Sequence, residues 1–336
     1  MGADNNNIIK IGMMSFAHMH AWSYTQALMK LKNVKIAGIA DEDKKRGKAM
    51  AKAFKLKYFD SYKKFLKEDI EAVVICSENS KHAELTIMAA EAKKHILCEK
   101  PISTNIKDAQ KMIDVCKKNG VKLQIAFPCR FLTSVFRARR IIENGEIGRI
   151  LAIKGTNHGR MPGGWFIDKK KSGGGAIMDH TVHVADLMRW ILHKEVKRVY
   201  AEIDNSIYGM KIDDCGTLAF EFDGGVIATL DPSWSRPKTF PTWGDVQLDI
   251  IGEKGVIQVD AFAQAIQVFD DVKNKYYWQG WGSDSDTKLI KNFVDMIQYN
   301  KEPYITGYDG LKAMEMALAA YQSAARKRPI ELPLKV

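Results

Sequence analysis

Residues 8–20 read IIKIGMMSFAHMH, and this stretch decides the fold class. The apolar run Ile8–Met14 has the character of a buried strand, small residues follow it, and a helical pattern then covers Ala21–Leu31. The first 128 residues repeat this order, with further strand candidates at Lys35–Ala40, Ala72–Cys76, Ile96–Cys98 and Val121–Ala126. Such alternation predicts a doubly wound parallel sheet, whose ligands bind beyond the carboxyl ends of the strands.

The second half of the chain has a different pattern. From residue 149 onward, longer alternating runs such as Ile150–Thr156 and Val196–Ile207 are separated by turn sequences at 223–225 and 253–255. One helix, Ala176–Leu192, lies early in this half, and two more close the chain over residues 285–299 and 309–326. We therefore predict an α/β domain over residues 1–128 and an α+β domain on a mostly antiparallel open sheet over residues 129–336.

The composition is that of a folded protein with room for two domains. The chain has 336 residues, of which 46% are hydrophobic and 27% charged, and this balance excludes collagen-like, low-complexity and disordered classes. No apolar run is long enough for a membrane-spanning helix. Residues 1–7 lack the layout of a signal peptide, and Asn6 stands where a myristoylation signal needs Ser or Thr. We expect a cytoplasmic protein without a membrane partner.

The charge and the cysteines exclude further classes. The net charge is +11, but the lysines are spread along the chain without an aromatic-interleaved basic stripe, so we expect no nucleic-acid partner. The five cysteines are odd in number and include no CxxC pair, which argues against disulfides and zinc knuckles.

The loop after the first strand candidate departs from the usual dinucleotide fingerprint. The G-x-G-x-x-G pattern would fall on Ser15, Ala17 and His20, and all three glycines are missing, although Ser15 and Ala17 are small enough for a pyrophosphate to approach. Asp41 ends the second strand, where a carboxylate accepts the ribose hydroxyls and repels a 2′-phosphate. This position favours NAD(H) over NADP(H). The alternative for Asp41 is a helix N-cap.

The helix over 176–192 carries a polar stripe although it is apolar nearly all round. Such a helix is buried, yet Asp179, His183 and Asp186 recur at i, i+4 and i+7. Burying these groups costs free energy unless they pair with other groups, and such buried ionisable groups are often part of a functional site. The stripe therefore indicates either a catalytic role or a structural one, in which Asp179 is a helix N-terminal charge and His183 a hydrogen-bonded core histidine.

Two further features of this region bear on the site. His180 points about 100° from Asp179 around the helix, so we expect no metal ion shared between them. Gly173, Gly174 and Gly175 precede the helix and allow another backbone or a ligand to approach closely.

Four motifs in order resemble those of the Gfo/Idh/MocA oxidoreductases, typified by glucose–fructose oxidoreductase and inositol dehydrogenase. Ser77-Glu78-Asn79 with His82 is similar to the family's T-P-N-type loop and its following histidine, and Glu99-Lys100-Pro101 to its E-K-P motif. Residues 172–186 resemble its G-G-G-x-x-x-D-x-x-x-H-x-x-D motif, and residues 306–333 its closing signature. The resemblance runs essentially end to end. It implies an N-terminal Rossmann domain for NAD and a C-terminal domain for substrate binding and oligomerisation.

The resemblance also implies a Lys–Asp–His catalytic set. Lys100 would hydrogen-bond the reacting oxygen and the nicotinamide ribose, His183 would take or return the hydroxyl proton, and Asp179 would hold the substrate hydroxyl and tune His183. The cofactor-binding residues that we expect are Gly12, Ser15, Phe16, Ala17, His18, Asp41, Ser77, Glu78, Asn79, His82, Glu99 and Lys100. The substrate-binding residues that we expect are His20, Arg130, His158, Arg160, Trp165, Asp179, His180 and His183.

We therefore expect an NAD(H)-dependent oxidoreductase that transfers hydride between nicotinamide and a secondary alcohol or ketone of a sugar, an inositol or a related polyol. No metal is expected, and the resemblance implies a homodimer or homotetramer. Two alternatives stay open. One is a redox-neutral NAD-dependent glycosidase or lyase that oxidises its sugar transiently, and the other is a non-catalytic NAD-binding sensor on the same scaffold.

Overall fold

The computed structural model describes residues 8–282 and 284–335. The strands, in chain order, are β1 (Ile9–Met14), β2 (Val34–Ala40), β3 (Tyr58–Phe59), β4 (Ala72–Ile75), β5 (His95–Glu99), β6 (Leu123–Ala126), β7 (Ile150–Thr156), β8 (Val196–Asp204), β9 (Cys215–Phe222), β10 (Ile227–Asp231), β11 (Gln247–Gly252), β12 (Val256–Asp260), β13 (Ala265–Asp270), β14 (Lys275–Gly280) and β15 (Ile330–Glu331). The helices are α1 (His20–Met29), α2 (Lys44–Phe54), α3 (Tyr62–Phe65), α4 (His82–Glu91), α5 (Ile106–Asn119), α6 (Thr133–Glu143), α7 (Lys169–Ser172), α8 (Ala176–Leu192), α9 (Ser285–Gln298) and α10 (Gly307–Arg326).

The first of two compact units contains the residues up to 128 together with 285–311. Its six strands form a parallel sheet in the order β3-β2-β1-β4-β5-β6. The central strands are buried along their length, as β4 with its sequence AVVI shows, because helices cover both faces of such a sheet. The strand order reverses between β1 and β4, and a crevice for ligands opens at this kind of reversal. The predicted doubly wound parallel sheet is confirmed.

The second unit contains residues 129–284 and the residues from 312 onward. Its seven-stranded sheet has the order β12-β11-β7-β10-β9-β8-β15, in which β7 and β10 are parallel and the other neighbours antiparallel. Burial alternates along β8 and β10, so one face of the sheet lies against the core, where α8 packs. The predicted mostly antiparallel open sheet is confirmed. Strands β13 and β14 form a separate two-stranded antiparallel hairpin.

The segment 285–311 differs from the predicted division of the chain. The sequence pattern predicts it in the second domain, whereas in the structure it packs within the first unit. The amphipathic helix α9 buries Leu289, Phe293 and neighbouring apolar residues and lies against α1. The backbone N–H of Ile125 at the end of β6 donates to the carbonyl of Ile305. The predicted cut after residue 128 coincides with the structural one.

Some expectations concern features that the structure describes only in part. Within residues 8–282 and 284–335, no helix combines the length and the apolar character that crossing a membrane requires. All five cysteines are free thiols. The expectations about a signal peptide and myristoylation fall on residues 1–7, which lie outside the described residues.

Candidate functional site

The loop after β1 is built around a strained serine. Ser15 is buried and has φ 68°, a left-handed backbone conformation that costs a non-glycine residue of the order of 1 kcal/mol. Its hydroxyl compensates by accepting the Ala17 N–H at 3.2 Å, while the Ser15 N–H donates to the carbonyl of Ala40 at 2.7 Å. The loop thus turns without the glycines of the usual fingerprint.

The other predicted residues of this loop have structural partners of their own. The Phe16 N–H donates to Asp41 Oδ2 at 2.9 Å, and the His18 N–H donates to the carbonyl of Cys76 at 2.9 Å. Gly12 lies inside β1, where a Cβ would overlap the ring of Phe65, so close packing explains this glycine.

Asp41 stands at the end of β2 and is buried, but it is not alone. Arg46 on the first turns of α2 approaches its carboxylate with two parallel hydrogen bonds of 2.7 Å. The N-cap of α2 is Asp43, whose side chain accepts the Arg46 N–H. The alternative of Asp41 as the N-cap is therefore wrong. Arg46 had not been singled out, although an arginine five residues after a strand-ending aspartate was visible in the sequence.

The loop after β4 is tied to the loop after β5 by a buried histidine. His82 at the start of α4 contacts the carbonyl of Pro101 through Nδ1 at 2.8 Å and that of Ser77 through Nε2 at 3.3 Å. Burial lowers the pKa of His82. Ser77 and Asn79 are buried and Glu78 is half-buried, at the carboxyl end of β4. His82 therefore positions the two loops, one of which carries Lys100.

Glu99 is a buried carboxylate at the end of β5, and the residue is 1% exposed. Its carboxylate accepts hydrogen bonds from the Lys100 N–H at 3.0 Å and from Nδ1–H of His20 at 2.9 Å. His18 Nδ1 lies 3.9 Å from the same carboxylate. Burial alone would raise the pKa of Glu99, but His18, His20 and Lys100 hold this pKa well below its usual range. Glu99 is therefore ionised near neutral pH.

The ligand atoms of His18, His20 and Glu99 lie within 4.8 Å of one another, close enough to suggest a metal site. The Nδ1 atoms of both histidines are already hydrogen-bonded, however. Nδ1 of His20 faces Glu99, and Nδ1 of His18 accepts the His20 N–H at 3.2 Å. A metal ion would displace both hydrogen bonds and would lie near the charge of Lys100, so we interpret the cluster as a hydrogen-bonded network.

The residues of the first unit fit a dinucleotide. The loops after β1, β2, β4 and β5 lie at the carboxyl ends of parallel strands that flank the reversal of strand order. The first turn of α1 contains no acidic residue of its own, although Glu99 and Asp286 contact its His20 and Ser23 side chains. Ser15 and Ala17 have small side chains, and Asp41 and Lys100 are buried polar residues at these strand ends.

In the second unit, α8 is buried on all sides, as predicted, from Ala176 to Ile191. Its N-terminus is capped by residues distant in sequence. Asp213 accepts the N–H groups of Gly175 and Ile177, each at 2.9 Å, and the hydroxyl of Tyr321 donates to Asp213 and accepts the N–H groups of Gly175 and Met178.

The glycines before α8 are explained by this cap. A Cβ at Gly174 would overlap the hydroxyl of Tyr321, and a Cβ at Gly175 would overlap the carbonyl of Asp213. The sequence left open whether another backbone or a ligand approaches these glycines. In the structure, the Tyr321 side chain and the Asp213 backbone approach them.

Asp179 is held on two sides. The indole N–H of the buried Trp234 donates to Asp179 Oδ2 at 3.2 Å, and Nε2 of His180 lies 3.3 Å from the same oxygen. The expectation that His180 points away from Asp179 is wrong, because the imidazole ring of His180 turns toward the Asp179 carboxylate and brings Nε2 close to it. His180 is buried between Gly159, whose missing side chain leaves room for the ring, and Trp243.

The rest of the polar stripe on α8 divides into two roles. His183 is buried, with Nδ1 3.8 Å from the sulfur of Cys129. Asp186 is paired with the buried Arg130 through hydrogen bonds of 2.7 and 2.5 Å. The guanidinium of Arg130, expected to bind substrate, is therefore committed to an ion pair inside the second unit, since an unpaired buried Asp186 would be costly.

The remaining predicted substrate residues lie in the segment after β7. His158 is held between Asp231, at 3.1 Å, and Asp245, at 3.4 Å, and its hydrogen bonds to these carboxylates raise its pKa to about 9. His158 is thus an imidazolium in an ion-pair cluster, which does not suit a general base. Arg160 donates to the carbonyl of Phe240, and Trp165 stacks on Phe166 with ring centroids 3.9 Å apart.

Comparisons with known proteins agree with this architecture. Residues 7–127 match the model described as oxidoreductase family, NAD-binding Rossmann fold, and residues 135–258 match the GFO/IDH/MocA C-terminal domain. The uncharacterized oxidoreductase YrbE of Bacillus subtilis is 31% identical over 92% of both chains. The myo-inositol 2-dehydrogenase of Thermotoga maritima is 29% identical over 82% of this chain and 84% of that protein.

A solved structure shows the same fold. The scyllo-inositol dehydrogenase of Lactobacillus casei, crystallised with NAD(H) and scyllo-inositol, superposes with a TM-score of 0.84 at 22% identity and covers 97% of this chain and 99% of its own. With matches to both domain models and an end-to-end relative above 30% identity, the chain belongs to the GFO/IDH/MocA family of oxidoreductases, and its N-terminal part is that family's NAD-binding Rossmann domain.

Proposed function

We propose that the protein is an NAD(H)-dependent dehydrogenase or reductase for a secondary alcohol or ketone of an inositol, a sugar or a related polyol. The observation that carries this proposal is the pair Asp179 and His183, one turn apart on a buried and mostly apolar helix. Relatives along most of the chain are named as inositol 2-dehydrogenases, which supports the substrate class.

The proposed chemistry assigns one task to each residue of a Lys100–Asp179–His183 set. Bound NAD supplies the acceptor or donor of the hydride. A hydroxyl carbon loses hydride only as its O–H proton leaves, and His183 takes this proton as general base. Lys100 stabilises the charge that develops on the reacting oxygen. Asp179, held by Trp234 and His180, accepts a hydrogen bond from the substrate and orients His183.

The contacts within the second unit refine the proposed substrate site. Asp179, His180 and His183 remain candidates for direct contact, together with Arg160 and Trp165 in the segment before α8. Arg130 and His158 support the site through their ion pairs and do not contact the substrate in this proposal. By the family resemblance we also propose a homodimer or homotetramer, which light scattering tests directly.

The first experiment follows absorbance at the NADH band while purified protein is incubated with NAD⁺ and a panel of inositols, sugars and sugar acids. We expect turnover with at least one polyol. We expect Lys100→Met and His183→Ala each to lower kcat by about 10²–10⁴-fold, the contribution of a single acid–base group, without loss of the fold. Lys63→Met, at an exposed position of α3, is the matched control and should retain full activity.

Each other outcome has a definite meaning. Near-wild-type activity in Lys100→Met or His183→Ala contradicts the catalytic set. Absence of turnover with NAD still bound favours the sensor, unless product forms without net change in absorbance, which indicates redox-neutral chemistry. Absence of NAD binding contradicts the proposed function itself.

A further inference from the structure

A carboxylate–imidazole pair lies beside Lys100 and has no task in the proposed chemistry. Nδ1–H of His20, the first residue of α1, donates to the buried Glu99 at 2.9 Å. Since the ionised carboxylate only accepts, this bond fixes the proton of neutral His20 on Nδ1. Nε2, on the opposite side of the ring, is then the atom that gains and loses a proton. The side chain of His20 is 27% exposed, whereas that of Glu99 is fully buried, so exchange with solvent occurs at the histidine.

The charges around His20 set its response to pH. Burial would lower the pKa of His20, but the charge of Glu99 and the hydrogen bond to it outweigh this effect and raise the pKa, with a further contribution from Asp286 at the start of α9. Lys100 opposes the protonated form. The hydroxyl of Tyr24 lies 3.3 Å from Nδ1. The titratable or charged groups that face His20 from its own loop and from the neighbouring elements are His18, Tyr24, Glu99, Lys100 and Asp286.

We propose that protonation of His20 is linked to the oxidation state of the bound nicotinamide, with the proton exchanged with water at Nε2. This inference rests on the proposed function, in which the O–H proton of the substrate passes to His183. Bound NAD⁺ would add a positive charge that bound NADH lacks. A protonated His20 beside Lys100 would therefore be less costly with the reduced cofactor, so His20 would gain a proton from water in that state and return it to water in the oxidised state.

The inference predicts different proton release on binding the two forms of the cofactor. We would measure binding of NAD⁺ and of NADH by titration calorimetry in two buffers of different ionisation enthalpy, between about pH 6 and pH 9, the range around a raised imidazole pKa. Binding of NAD⁺ should expel up to one proton per chain, because its positive charge would disfavour protonated His20. NADH should expel markedly less. This comparison uses the wild-type protein alone.

Two variants identify the group responsible. His20→Asn should abolish the difference in proton release while both dinucleotides still bind. Glu99→Gln keeps the shape of the side chain but removes the charge, and it should move the pH at which the difference is largest downward by about one unit. His193→Asn is the matched control. It removes an imidazole from the left-handed C-cap of α8, a conformation that Asn tolerates, and should leave the difference unchanged.

The outcomes separate this inference from the proposed function. If neither dinucleotide binds, both are overturned. If both bind and wild type releases equal numbers of protons, only the role of His20 is overturned, and the same holds if His20→Asn retains the difference.

Discussion

The carboxylate of Asp41 shows how the surroundings of one residue change the meaning of a motif. It accepts the N–H groups of Phe16 and Asp43 and both hydrogen bonds of the Arg46 guanidinium. A lone carboxylate at this position repels a 2′-phosphate, but here its charge is largely neutralised by an arginine, the residue type that accommodates such a phosphate. The preference for NAD(H) over NADP(H), which we retain as a proposal, thus depends on the balance between the two side chains.

This balance predicts the effect of Asp41→Ser. Serine can still accept the backbone N–H groups, but it leaves Arg46 without its carboxylate, and the guanidinium becomes available to a 2′-phosphate. We expect the ratio of kcat/KM for NADPH to that for NADH to rise by at least about tenfold, which corresponds to about 1.4 kcal/mol. The measurement is steady-state kinetics with each reduced cofactor.

Asp43→Ser is the matched control for this substitution. It removes a nearby negative charge, yet serine keeps the N-cap of α2, so the cofactor ratio should stay as in wild type. An unchanged ratio in Asp41→Ser, or comparable use of both cofactors by wild type, would show that Asp41 does not determine the preference.

At the scale of elements, α8 shows where sequence reasoning succeeds and where it stops. Its limits could be predicted from an apolar run preceded by three glycines, because both signals are local. Its cap could not be, because Asp213 and Tyr321 lie far from it in the sequence. The same limit applies to Arg130, since nothing local in the sequence marks it as the partner of Asp186.

The cap of α8 predicts that Tyr321→Phe destabilises the second unit. The hydroxyl donates to Asp213 and accepts two backbone N–H groups, and its loss removes the acceptor of the Met178 N–H, whereas the Gly175 N–H keeps Asp213. The cost of such a loss is about 1–3 kcal/mol in the free energy of unfolding. Urea unfolding monitored by tryptophan fluorescence gives this value. Tyr208→Phe, at an exposed position of the same unit, should change it little, and equal stability of the two variants would contradict the role of the cap.

At the scale of the whole molecule, the parts that followed from the sequence are those with a local pattern. The strands and helices of residues 8–128 alternate regularly, and the seven-stranded sheet has alternating burial and marked turns. No such signal places residues 285–311 in the first unit. The apolar face of α9 shows that the helix packs on a core, but it does not show which unit supplies that core. The hairpin of β13 and β14 was also missed, since many of its apolar side chains, such as Phe269, are exposed.

The stability of the molecule should depend on pH through the cluster that joins the ends of β7, β10 and β11. Hydrogen bonds that His158 donates to Asp231 and Asp245 raise the pKa of His158 to about 9. Burial opposes ionisation of Asp245, but His158 and Arg236 outweigh this and lower its pKa to about 2. The contribution of His158 is therefore complete below its unfolded pKa near ~6.5 and is lost as the pH rises through about 9. The contribution of Asp245 is lost only as the pH falls through about 2.

We expect wild type to be more stable than His158→Asn by about 2 kcal/mol at pH 6 and the two unfolding free energies to converge by about pH 10. Urea unfolding at half-unit steps of pH measures both curves. His193→Asn removes an exposed imidazole at the end of α8. The pH dependence of its unfolding free energy should run parallel to that of wild type over the whole range. A constant gap between wild type and His158→Asn would mean that His158 contributes through packing, because packing does not titrate, whereas an ion pair between an imidazolium and two carboxylates must weaken as the imidazolium loses its proton.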